Sequence, residues 1–220
     1  MKRNTSLIVF AAAVILLGSG CVLSDLSRFF GAPPEEPGSL LFQDNFTDPS
    51  SGWDRVRTEE GMTDYDVDKY RIVVNATNAD YWSNPGLDFG DAVITVETLK
   101  LSGPDDNNYG VLCRYQGRDN FYFFVISSDG YYGIGKVENG KQQLLEPEQM
   151  YPSDAILQGN QYNNLRVVCD GPRLVLTVNG EQVAETEDHA FQRGDVGLMV
   201  GSFGQPGVDV LFDHFTVTVP

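Results

Sequence analysis

An all-β domain built as two packed layers of strands is the fold this chain predicts, on three observations. From Leu41 onward, short runs rich in Val, Ile, Phe, Tyr and Thr recur between turn residues. The dipeptides Asp129-Gly130, Asn139-Gly140, Asp170-Gly171 and Asn179-Gly180 punctuate them, and Gly accepts the positive φ that tight hairpins need. No amphipathic run of helical period reaches three turns.

The strands follow in order. Leu41–Phe46 and Lys69–Asn75 open the domain, and Trp53 between them reads as a core anchor. Ala92–Leu101, Tyr109–Gln116, Phe121–Ser127 and Tyr131–Val137 make its middle. Glu146 to Gly159 reads as an irregular loop with a short helical turn. Tyr162–Cys169, Arg173–Val178, Glu181–Glu187, Asp195–Ser202 and Val208–Val219 complete it. About eleven strands at this spacing predict a two-sheet sandwich. In Arg173–Val178, alternation puts Leu174, Leu176 and Val178 on one face. Phe121–Ser127 is apolar on both faces, so it is either central or lines a groove for an apolar or stacking ligand.

The N-terminus reads differently. Lys2 and Arg3 precede an unbroken apolar run, Leu7–Leu17, too short to span a bilayer and of signal-peptide type. Gly18-Ser19-Gly20 before Cys21 resembles the lipobox of bacterial lipoproteins, with Leu17 one place further from the Cys than usual. That resemblance implies a diacylated Cys21 as the mature N-terminus and a membrane anchor. Residues 1–20 are then the signal peptide, 21–40 a Pro- and Glu-rich tether, and 41–220 the folded domain. With Cys21 lipidated, Cys113 and Cys169 remain as an even pair in an exported protein, either disulfide-bonded or packed as free thiols.

The 220 residues carry a net charge of -16, which disfavours nucleic acid as a partner. Two His and three Cys are too few for a zinc cluster of ordinary spacing.

Further motifs carry a resemblance for the domain as a whole: Asn164-Leu165-Arg166-Val167-Val168, Leu174–Gly180, Gly194-Asp195-Val196-Gly197-Leu198 and Phe212-Asp213-His214-Phe215. Over Leu41 to Pro220 the chain resembles the concanavalin A-like lectin/glucanase superfamily, nearest its laminin-G-like and family 16 glycosidase-like branches. The resemblance implies a jelly-roll sandwich of two curved antiparallel sheets whose concave face or rim holds carbohydrate. The Glu-x-Asp-x-Glu run of its glycosidases, which sets carboxylates on one strand face, is absent here.

The ligand candidates are therefore stacking aromatics and planar polar groups: Trp82, Tyr122 and Tyr132 with Arg114, Asp129 and Lys136. If Cys113 faces the interior, Arg114 points outward beside Tyr122 and Phe124 as a groove floor; alternatively Arg114 lies over aromatics as a cation–π lid. Asp64, Asp66 and Asp68 alternate, but the Gly and Glu of an EF-hand are missing. Asp44 and Asp213, each on an apolar face, need partners: a structural calcium ion, or nearby backbone N–H groups. The leading expectation is a non-catalytic lipoprotein of the bacterial cell membrane or outer membrane that binds glycan or an envelope protein. The alternatives are a divergent sugar-acting hydrolase of the same fold and a structural protein-interaction module.

Overall fold

The computed structural model describes residues 36–145 and 149–220. The expected signal peptide, Cys21 and the tether as far as residue 35 lie outside the described residues, as does 146–148 of the expected loop. Sixteen strands and no helix occur among the described residues: β1 (Leu40–Asp44), β2 (Val56–Arg57), β3 (Gly61–Tyr65), β4 (Tyr70–Val74), β5 (Ala79–Ser83), β6 (Ala92–Ser102), β7 (Asn107–Tyr115), β8 (Asn120–Ile126), β9 (Tyr131–Glu138), β10 (Lys141–Leu144), β11 (Tyr151–Pro152), β12 (Tyr162–Asp170), β13 (Arg173–Val178), β14 (Glu181–Glu187), β15 (Asp195–Ser202) and β16 (Val208–Thr218). The expected strands all form. The others, β2, β3, β5, β10 and β11, are at most five residues long, which leaves little periodicity to read.

The strands pair antiparallel in two curved sheets, giving the expected jelly-roll sandwich. The first runs β14, β13, β12, β6, β16, β4, β3, β2, with β1 also on β16. The second runs β10, β9, β8, β7, β15, β5, with β11 on β9. One apolar core fills the space between them, drawing Ile94, Leu176 and Phe212 from one sheet and Val111, Phe124 and Leu198 from the other. Leu174, Leu176 and Val178 share the inner face, as alternation requires. Trp53 is buried edge-on against Phe46 and Phe215. A Cys113–Cys169 disulfide crosses the core from β7 to β12 and ties the sheets together. Asn139-Gly140 and Asn179-Gly180 take positive φ at both residues (53° and 74°, 49° and 88°), so each closes its hairpin with the strand twist it needs.

Two irregularities decide which way side chains point. Arg114 has φ 53°, and the β15–β7 register slips between Asp195 and Gly197. His214 has φ 51°, and the β16–β6 register slips between Asp213 and Thr216. Such bulges reverse the alternation downstream. Beyond His214, Phe215 and Val217 therefore return to the core that Phe212 also enters.

Candidate functional site

The outer face of the second sheet carries a second apolar cluster, separate from the interior: Leu112, Phe121, Phe123, Val125, Val137 and Met199. Register explains its shape. Phe123 pairs across to Gly135, Met199 to Gly110, and both Asp80 and Asn108 to Gly201. Gly135 and Gly201 leave room for these neighbours to lie down across them, while at Gly110 the backbone of Phe124 comes close. A Cβ on Gly135 would stand 2.1 Å from Phe123 Cζ, and one on Gly201 would stand 2.0 Å from Asp80 Oδ1. The face is thereby hollowed rather than ridged.

The hollow is a cavity of about 520 Å³, floored by Phe121, Phe123, Val137 and Met199. Trp82 forms one wall; its indole N–H donates to Tyr115 Oη at 3.2 Å, and its ring lies 5.8 Å from that of Phe121. Asp80, Arg118, Asp119 and Gln142 supply polar groups around the apolar floor. An apolar base ringed by planar hydrogen-bonding groups suits a sugar ring, whose C–H face stacks while its hydroxyls reach outward.

Asp80 is the distinctive group. It shares a face of β5 with Trp82, two residues before it, and is half-buried. Its one hydrogen bond among the described residues comes from Asn108 Nδ2 at 3.5 Å, at the limit of a real bond. Burial pushes its carboxyl above the usual carboxylate range, against the weak pull of Asn108. Asn108 Oδ1, itself sealed, has no partner among the described residues. An unpaired buried acceptor of this kind costs about 1–3 kcal/mol.

Of the expected ligand residues, Trp82 lies in this groove and the others lie elsewhere. Tyr122 pairs with Cys113 in register and so shares its inner face; Phe121 and Phe123, rather than Tyr122 and Phe124, face the groove. Arg114 is turned away by its bulge and is 2% exposed. It donates to the carbonyls of Gly171 and Phe191 at 2.7 and 2.8 Å and to Asp91 at 2.9 Å, and lines a separate hollow of about 320 Å³ with Asp91, Asp188 and His189 rather than the floor of the aromatic groove. Lys136 also faces away from the groove and meets Asp188 at 2.8 Å, beside the Tyr122 hydroxyl that donates to the same carboxylate at 2.6 Å.

Arg114, Tyr122 and Lys136 thus do converge, but on the segment from Gly171 and Asp188 to Phe191, which they clamp. Burial first, then the bond to Asp188, holds the Tyr122 hydroxyl well above its ordinary range. Burial acts to raise Asp188 too, but Lys136 and Tyr122 outweigh it and hold the carboxyl low. Tyr132 packs partly buried against the interior. Asp129 accepts from Ser127 Oγ and lines a separate hollow of about 220 Å³ with Tyr131, Met150 and Phe203.

Asp44 and Asp213 face opposite sides of their sheet. Asp44 takes the Phe46 N–H at 2.7 Å and the Trp53 indole N–H at 2.9 Å, inside. Asp213 takes the His214 N–H at 2.8 Å and an ion pair from Lys69, outside. Backbone capping therefore describes both better than a shared ion. No group of three or more His, Cys, Asp or Glu side chains placed to hold a metal occurs among the described residues.

Besides the doubly apolar run that holds Phe121 and Phe123, the groove and its floor carry one further legible signal. Asp80 and Trp82 stand two apart, as do Gly133 and Gly135, and period two puts each pair on one face. Arg118, Asp119 and Gln142 carry none; folding alone brings these turn and edge residues to the rim.

Comparison with known proteins bears on this site. The sequence pattern of the 3-keto-alpha-glucoside-1,2-lyase-like domain matches residues 41–217. No curated protein matches the chain. Among solved structures, carbohydrate binding module CBM66 from Bacillus subtilis is similar, with a TM-score of 0.63, 16% identity, and coverage of 76% of this chain and 96% of its own. A Bacillus licheniformis beta-glucanase superposes with a TM-score of 0.59 and 9% identity, over 84% of this chain and 100% of its own. A Bacillus subtilis protein of unknown function with a galectin-like fold gives 0.63 and 11%, over 83% and 97%. At these identities the likeness establishes the concanavalin A-like fold.

Proposed function

Because the chain belongs to the 3-keto-alpha-glucoside-1,2-lyase-like domain family, we propose that the groove on the outer face of its second sheet binds a sugar. The observation that carries this reading is the hollow itself: Trp82 and Phe121 over a glycine-lowered floor, rimmed by Asp80, Arg118 and Gln142. We further propose that the protein is exported and lipid-anchored through Cys21, presenting this groove at a bacterial envelope as a non-catalytic glycan-binding module. The lipobox-like Gly18-Ser19-Gly20-Cys21 supports the anchor, and the missing Glu-x-Asp-x-Glu run supports binding without glycoside hydrolysis.

The test is a glycan array probed with the detergent-solubilised full chain and its Trp82→Ala variant. Retention by the wild type that falls about tenfold in the variant is expected, the scale of a lost stacking contact in a partly desolvated site. Equal retention by both removes the groove as the binding site. Mass spectrometry of the exported protein is expected to find a diacylglyceryl adduct on Cys21, and an unmodified Cys21 rejects the anchor.

A second reading has one observation of its own. A 1,2-elimination from a 3-keto sugar needs a single base, because the ketone already acidifies the neighbouring C–H. The base takes the C2 proton, the C–H electrons form the C1=C2 bond, and the C1–O bond breaks with its pair leaving on oxygen. Asp80, half-buried with a raised pKa, is the groove carboxylate suited to that step. Release of the aglycone from a 3-keto-glucoside, lost in Asp80→Asn, would favour this reading over binding alone.

A further inference from the structure

The groove is short of hydrogen-bond donors at one spot. Asp80 and Asn108 lie side by side over Gly201, in the space a Cβ would take. Between them their side chains make one hydrogen bond among the described residues, of 3.5 Å. Asn108 is 5% exposed and its Oδ1 has no partner among the described residues. No ion pair reaches Asp80 among the described residues; the Arg and Lys side chains that pair do so with other carboxylates, on the outer face of the first sheet or at the ends of the sandwich. Buried acceptors in a folded protein are nearly always satisfied. The Asp80 carboxylate, which opens into the cavity, has room for more donors than the protein provides.

Resting on the sugar-binding reading of this groove, we propose that Asp80 is its specificity residue: its two carboxylate oxygens accept hydrogens from two adjacent hydroxyls of a neutral sugar ring. Vicinal hydroxyl oxygens stand roughly one hydrogen-bond length apart, and a carboxylate takes such a pair as it takes a bidentate donor. A sugar carboxylate brought to the same place meets Asp80 as a like charge, in a chain whose net charge is already -16. The Asp80 end of the groove therefore takes an uncharged diol rather than a carboxylate, which would have to turn toward Arg118 on the rim. Asn108, sealed behind Asp80, can add no more than its one long bond, so further donors to the carboxylate have to come from the cavity side.

The experiment uses the full chain in detergent against immobilised neutral oligosaccharides, their uronic-acid counterparts, and neutral probes lacking one of two adjacent hydroxyls. Wild type is expected to retain neutral sugars and to lose about tenfold or more on the deoxygenated probe, as on losing a hydrogen bond to a charged group. Asp80→Asn is expected to lose a similar factor on the intact sugar and little further on the deoxygenated one, the non-additivity of two changes to one contact. Trp82→Ala separates this proposal from the reading beneath it. If Trp82→Ala abolishes retention while Asp80→Asn leaves it unchanged, the groove stands and this assignment falls. Uronic acids held as tightly as neutral sugars by an Arg118→Ala variant, which lacks the rim cation, also overturn it, and a wild type that retains no sugar removes both. Should Asp80→Asn fail to fold, the deoxygenated probe on the wild type tests the same contact, and undiminished retention of that probe overturns the assignment.

Discussion

The two sheets turn very different outer faces to solvent, and two carboxylates show the difference. Asp64 on β3 is almost fully covered, yet receives Arg55 at 2.6 Å and Arg57 at 2.8 Å. Asp80 on β5 is half-buried and, among the described residues, receives only one long amide bond. Burial acts to raise both; at Asp64 the two guanidinium groups outweigh it and the pKa falls, while at Asp80 nothing does and it rises. The pattern extends along each face. Arg71 joins Asp66 and Asp209, Lys69 joins Asp213, and Arg173 joins Glu185 on the first sheet. The second sheet offers instead an aromatic hollow. A face whose buried carboxylates already hold cations has less left to offer a ligand than a face with an unmatched acceptor over an apolar floor.

The largest effect tests what the two faces share. Replacing Cys113 and Cys169 with Ala removes a link closing a loop of 56 residues' separation and should lower stability by about 4 kcal/mol in denaturant unfolding. Sugar retention per folded molecule should not change, since the disulfide lies in the interior; a selective loss of retention would show that the groove depends on how the sheets are docked.

Filling the hollow should separate the faces sharply. Gly135→Ala puts a methyl 2.1 Å from the Phe123 ring and must lift it into the cavity. A stability cost of about 1–3 kcal/mol is expected, together with loss of sugar retention; retention equal to wild type would show that the floor is not where the ligand lies.

Acid titration should give the two carboxylates opposite signs. A lowered pKa means that Asp64 stabilises the fold when ionised. Wild type should exceed Asp64→Asn by about 1 kcal/mol, given the exposed Arg partners, and the margin should shrink as pH falls below the ordinary carboxylate value of 3.8. A raised pKa means that ionised Asp80 destabilises. Asp80→Asn should match or exceed wild type at neutral pH, and the gap should close as pH falls through the raised pKa toward 3.8. Thermal melts across pH 3–8 check both, and shifts of the same sign would end the contrast drawn between the faces.

The smallest effect is the control. Lys69→Ala removes one partly exposed ion pair from the first sheet and should cost under about 1 kcal/mol without altering sugar retention.

Much of the fold is legible in the residues. Leu174, Leu176 and Val178 alternate into the core as their spacing demands, and Asn179-Gly180 turns the chain where it stands. The groove is legible only in fragments. Phe121–Ser127 shows two apolar faces, but which of Phe121 and Tyr122 points outward depends on the Cys113–Tyr122 register across strands, and local pattern favours the wrong one. Arg114 misleads for a related reason: nothing beside it in sequence announces a bulge. At five residues β5 is too short to be read as a strand, so the two-residue spacing of Asp80 and Trp82 carries weight only once the strand is known.

Composition and period two therefore determined, unaided, that this chain makes a two-layered β domain, where most strands run and where several turns fall. These are properties of a residue and its near neighbours. Tertiary structure alone decided which face became the hollow, which carboxylate found a cation and which did not. Those outcomes depend on register, bulges and residues brought together from distant strands, so no local stretch of the chain contains them.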